Sequence, residues 1–95
     1  MVFDIDEVSG IGDFERRENV YSVGEKAFLV VNEKTVEVRT DANLAKLLQE
    51  KYESVMRSRY FGRGGIEIAM TGQLSEAEIC DLVRLSYNLT AAAGV

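Results

Sequence analysis

Histidine, proline and tryptophan are absent from this 95-residue sequence, and cysteine occurs once, at Cys80. Without histidine there is no imidazole to act as a base near neutral pH, and neither a Ser-His-Asp nor a Cys-His catalytic set can be built. One cysteine and no histidine also leave no ligand set for zinc. A lone cysteine forms no internal disulfide, which accords with a reducing compartment. Long apolar runs are missing as well: none approaches the roughly 18 residues that mark a membrane span. The opening Met-Val-Phe-Asp-Ile-Asp-Glu is acidic where a secretory signal is basic. These absences lead to the expectation of a cytoplasmic, non-catalytic chain that uses no cofactor, metal or membrane. The missing prolines leave strands free to run uninterrupted.

Positive charge is missing from the first 15 positions, which hold Asp4, Asp6, Glu7, Asp13 and Glu15. The other positions carry 11 basic and 11 acidic residues, so the net charge of -5 belongs to this front end. Residues 1–12 read as an acidic, solvated tail on a single domain spanning residues 1–95. Asp4, Asp6 and Glu7 lack the glycine and the bidentate glutamate of a calcium loop. A content of 46% hydrophobic and 28% charged residues is that of a folded globular chain, which excludes a disordered one.

Residues 14–23 read as one strand and residues 26–31, with Ala-Phe-Leu-Val-Val unbroken, as a strand covered on both sides or a central strand in the sheet. Gly24-Glu25 turns the chain between them. Residues 35–39 alternate strictly, one face apolar and one wet. Asp41 is placed to cap a helix whose stripe is Leu44, Leu47, Leu48 and Tyr52. Residues 55–61 return to a strand, residues 62–65 (Gly-Arg-Gly-Gly) form a turn, and residues 66–70 alternate again. Ser75 and Glu78 then stand at capping-box spacing, flanked by Leu74 and Ile79 as a staple. The helix that follows shows Ile79, Leu82, Val83, Ser86, Leu89 and Thr90 on one face, with Cys80 at its boundary. The order β-β-β-α-β-β-α predicts a two-layer α+β fold, an antiparallel sheet of about five strands with both helices on one face.

Few residues carry chemistry. Arg57, Arg59 and Arg63 fall within seven acid-free positions, interleaved with Tyr60 and Phe61, and strand alternation places Arg57 and Arg59 on one face. Arginines beside aromatics suit a phosphate backbone or an unpaired base, and equally suit an edge strand kept soluble by charge. The glycines of residues 62–65 would let backbone amides approach an anion, although a hairpin turn explains them as well. Tyr52, Tyr60 and Tyr87 are amphipathic enough to line a ligand cleft, with Tyr60 and Tyr87 the candidates for one between the last helix and the sheet, and at these periodic positions they also suit a core boundary with the hydroxyl reaching water.

The run YFGRGGIEIAMTGQLSEAEICDLVRLSYNL resembles the C-terminal half of the MmcQ/YjbR family, with Ser86 and Tyr87 matching its Ser-Tyr pair. Val23-Gly24-Glu25-Lys26-Ala27-Phe28 is similar to that family's hairpin around a glycine and a lysine, and residues 41–48 resemble its first sheet-covering helix. The likeness spans about residues 10–93. It implies an α+β layer related to secretion-chaperone folds, and DNA binding through paired hairpin wings, here the Arg57 to Arg63 hairpin and the turn bearing Lys26. A protein-interaction or homodimeric module and a small-ligand binder are the other two readings that remain.

Overall fold

Alternation makes a strand of Thr35–Arg39 and decides which way its neighbours face. Val36 and Val38 are fully buried on one side, while Thr35, Glu37 and Arg39 point to the other. In this computed structural model, which describes residues 3–93, that strand is β4 of an antiparallel sheet. The others are β1 (Glu15–Arg17), β2 (Val20–Val23), β3 (Lys26–Val31), β5 (Val55–Ser58) and β6 (Gly62–Ala69). Their spatial order is β1-β2-β3-β4-β6-β5. Helix α1 (Ala42–Lys51) joins β4 to β5, and β6 returns between those two strands, antiparallel to both. Helix α2 (Glu76–Ala93) ends the described chain.

The fold is the expected α+β arrangement, with α1 packed on β5 and β6 and α2 on β2, β3 and β4. Among the described residues the sheet has six strands rather than about five. The stretch read as a single strand folds back at Glu18, whose φ of 56° makes the tight turn that pairs Arg17 with Val20. Gly24 and Glu25 both take positive φ, 57° and 68°, as a two-residue hairpin turn requires.

Strand β3 departs from plain alternation. Tyr21 pairs with Leu29 but Ser22 with Ala27, so Phe28 is an extra residue with no partner in β2. A bulge of this kind turns two successive side chains toward the same side. Phe28 and Leu29 both reach zero exposure, and the Phe28 ring meets Tyr87 of α2 edge-on at 5.1 Å. The bulge explains Phe28 and Leu29, while Val30 points to the open face and is still 4% exposed there, so this inner strand is covered on both sides at that point.

Helix α2 begins as its sequence dictates. The Ser75 hydroxyl accepts from the Glu78 N–H at 3.1 Å, and the Glu78 carboxylate accepts from the Ser75 N–H at 3.0 Å. Leu74 and Ile79 are buried beside them. The buried face comprises Ile79, Cys80, Val83, Ser86, Tyr87 and Thr90, so it is rotated toward Cys80 and Tyr87 and leaves Leu89 exposed. Ser86 has a structural task. The β3–β4 pairing stops at Leu29 and Val38, and beyond it the Ser86 hydroxyl accepts from the Arg39 N–H at 2.8 Å and donates to the Phe28 carbonyl at 2.6 Å. In α1, Asp41 caps the Leu44 N–H at 2.7 Å, but the helix presses Ala45 rather than Leu47 onto the sheet. Leu47 faces water because the inward stripe is Ala45, Leu48 and Tyr52.

The acidic front end is not a free tail over its described part, and Met1 and Val2 lie outside the described residues. Phe3 and Val8 are buried in the core cluster, with Ile5 and Ile11 packed against it. The segment is tied to α2 where Arg84 donates to the Ser9 carbonyl and the Tyr87 hydroxyl donates to the Asp13 carbonyl. No helix among the described residues is long and apolar enough to cross a membrane.

Candidate nucleic-acid interface

The β5–β6 hairpin divides the three arginines that the sequence groups. Its register shifts between Arg57 and Ser58, so alternation fails there and Arg57 and Arg59 leave on opposite sides. Arg57 pairs across from Ile66 on the helix side. There it joins Arg63 and Lys46 around a depression of about 520 Å³ floored by Ala42 and Ala45, with Glu50 on the rim. Three cations against one acid leave this depression positive in a chain that is negative overall. None of the three makes an ion pair among the described residues, where the pairs are Arg59–Glu67 and Arg84–Asp81. Sequence reasoning missed Lys46, because only the sheet order brings the outer face of α1 beside β5 and β6.

Arg59 crosses to the open face of the sheet. Its Nε and one terminal nitrogen donate to the two carboxylate oxygens of Glu67, at 3.0 and 2.8 Å, and the Thr35 hydroxyl adds a third bond at 2.6 Å. That hydrogen bonding holds the Arg59 proton more tightly than usual. Glu67 stands directly opposite Glu37, and both are buried. Facing carboxylates repel, and each here is satisfied separately. Glu37 accepts from Asn32 at 3.0 Å, from the Ser58 hydroxyl at 2.8 Å and from the Tyr60 N–H at 2.9 Å. Burial pushes the Glu37 carboxyl up, but these donors outweigh it and hold the group below the ordinary carboxylate value.

These bonds draw the hairpin tip down onto the open face. The turn is therefore made by Arg59, Tyr60 and Phe61, and the glycines expected to form it belong to β6. Gly65 is where a side chain has no room: a Cβ would lie 2.5 Å from the Phe61 Cβ and 2.6 Å from the Val38 carbonyl. With their residues in a paired strand, the amides of Gly62 and Gly65 do not form an anion cradle. Phe61 lies over Gly65 with the Arg39 guanidinium 4.9 Å from its ring centre and the Tyr60 ring 5.0 Å away. Tyr60 is 55% exposed. Tyr87 is buried on the helix side, so the two tyrosines share no cleft. Lys26 sits on the other hairpin, its Nζ 3.4 Å from the Ala93 carbonyl at the end of α2, and does not join the arginines.

Burial raises the Cys80 thiol above its usual value, and the nearby Glu76 and Glu7 add to this. Among the described residues no three His, Cys, Asp or Glu side chains are grouped to hold a metal ion. Comparison of the chain with protein-family models, curated proteins and solved structures found no match.

Proposed function

We propose that this chain is a small, non-catalytic binding domain of the MmcQ/YjbR type that contacts nucleic acid through the depression bordered by Lys46, Arg57 and Arg63. The observation that carries the reading is the convergence of three cations, free of ion pairs among the described residues, on one concave surface. Phosphate contacts of this kind position a nucleic acid without reading its sequence, and each releases counterions. The acidic front end sets a limit. Its charge is felt over a Debye length of roughly 8 Å at physiological salt, so it opposes phosphates near itself and not across the molecule.

Fluorescence anisotropy of a labelled duplex against salt tests the proposal. Three phosphate contacts give a log K against log salt slope near about -3, from roughly -0.9 per contact. Arg63→Gln lowers affinity for every sequence and makes that slope shallower by about one. Lys26→Gln leaves both unchanged. Absence of binding at about 50 mM salt and tens of micromolar protein lies outside the non-specific range of roughly 10⁻⁴ to 10⁻⁶ M and overturns the reading.

A second reading, a protein-interaction or homodimeric module, is favoured by one observation. Leu47, Leu85 and Leu89 are exposed by 62%, 42% and 36% on the outer surfaces of the two helices. Sedimentation decides it: a monomer mass at tens of micromolar removes the homodimer.

A further inference from the structure

We propose that the open face of the sheet, beside the hairpin tip, holds an unstacked base of a single-stranded nucleic acid. The proposal rests on the function proposed above and names the form of nucleic acid the chain prefers. On this face a shallow depression of about 350 Å³ lies between β2, β3 and the tip, lined by Val20 and Val30, by the hydrogen-bonded Glu37 carboxylate, and by Asn19, Asn32, Arg59 and Tyr60.

Its edges match a base in three ways. Tyr60 is braced edge-on against Phe61, at 71° between the ring planes, and Phe61 in turn lies under the Arg39 guanidinium; the Tyr60 ring is more than half exposed, so it offers a positioned aromatic surface to one further flat ring. Arg59 is held in plane by the bidentate bond to Glu67, yet its side chain keeps 74% exposure. A fixed, exposed guanidinium is a stacking platform that loses little freedom when a ring settles on it. Asn19 supplies the edge contact. Its side-chain nitrogen donates to Asn32 Oδ1 at a long 3.4 Å, and its side-chain oxygen Oδ1 accepts no hydrogen bond among the described residues, which leaves an acceptor beside a weakly held donor.

Charge separates the two sides of the hairpin. On the open face Glu37 and Glu67 are balanced by Arg39 and Arg59, so this surface suits a neutral base. The unbalanced cations Lys46, Arg57 and Arg63 are on the other side, where phosphates are favoured. A strand passing the tip of the hairpin meets both. A duplex keeps its bases stacked inside and, with a persistence length of about 150 base pairs, is too stiff to bend around one hairpin.

Anisotropy with a labelled single-stranded 12-mer and the matching duplex, at equal salt, tests this. The single strand is expected to bind more tightly, and Tyr60→Ala to weaken it about 5- to 100-fold, the range for losing one base–aromatic stack. Tyr60→Phe keeps the affinity. Tyr60→Ala leaves the salt slope unchanged, whereas Arg63→Gln makes it shallower, which separates a base contact from a phosphate contact. Retained duplex binding by Tyr60→Ala shows that the variant is folded. Equal affinity for both forms, with Tyr60→Ala within twofold of the parent on the single strand, overturns the base site and leaves the phosphate reading standing. Failure of both nucleic acids to bind overturns the two together.

Discussion

On the face under the helices, Val36, Val38, Ile66 and Ile68 are buried completely; on the reverse of the same two strands, Glu37 and Glu67 face each other and are only 3% and 4% exposed. One strand pair therefore has a dry side and a charged side of nearly equal burial. The dry side is held by area and tolerates change in proportion to volume lost. The charged side depends on a specific set of donors: Asn32 and Thr35 hold the carboxylates from β4 and the turn before it, and Ser58, the Tyr60 amide and Arg59 tie the hairpin tip to them. Polar burial of this kind specifies a shape more than it adds stability. In this chain the shape so specified is the exposed row of aromatic and cationic groups to which a binding role is assigned.

The largest expected effect falls on the dry side. Phe28→Ala removes the ring that joins Phe14, Tyr87 and the β3 bulge, and should cost about 3 to 5 kcal/mol in urea denaturation. A cost under about 1 kcal/mol would mean that the bulge does not direct Phe28 into the core. Gly65→Ala acts from the charged side by lifting Phe61, and overpacking of this sort costs about 1 to 3 kcal/mol. Tyr60 should then lose its neighbour, so base binding should fall further than stability alone requires.

The smallest effect is in pH. The folded Glu37 carboxyl is held below its ordinary value of 4.5, so it binds fewer protons than the unfolded chain does in acid. Its stabilisation is complete above the unfolded value and is lost as pH falls through the folded one. Urea midpoints measured from pH 7 down to pH 3 should decline, and Glu37→Gln should flatten part of that decline. A parallel decline in the variant would assign the acid sensitivity to other carboxylates.

Local signals are legible in the sequence itself. Ser75 with Glu78, Asp41 and the Gly24-Glu25 turn act within a few residues, and each takes the expected form in the fold; residues 35–39 alternate as expected, but the face expected to be wet buries Glu37. What escapes a reading of the sequence depends on distant pairing. Alternation assumes one residue per rung, so it cannot register the extra residue at Phe28 or the shift after Arg57 that separates Arg57 from Arg59. Glycine signals a turn by its conformational freedom, yet Gly65 is needed for the close approach of Phe61 to β4, which is a tertiary demand. Glu37 and Glu67 are 30 positions apart and meet only because β6 returns between β4 and β5. A helical stripe has width, so periodicity alone turns Leu47 and Leu89 inward, and only the partner surface decides which edge of the stripe is covered.

Ser86 bears on how such a chain is made. Synthesis runs from the N-terminus, so all six strands leave the ribosome before the residue whose hydroxyl occupies the missing rung between β3 and β4. Until α2 follows, the nascent sheet has an open seam at Phe28 and Arg39, beside its most apolar strand. Closing that seam links positions 58 residues apart, a long-range contact of the kind that slows folding. Until the last helix arrives, the strand edges at Phe28 and Arg39 lack the partner that Ser86 supplies, and unpaired strand edges of this kind are open to capture by a chaperone or by one another.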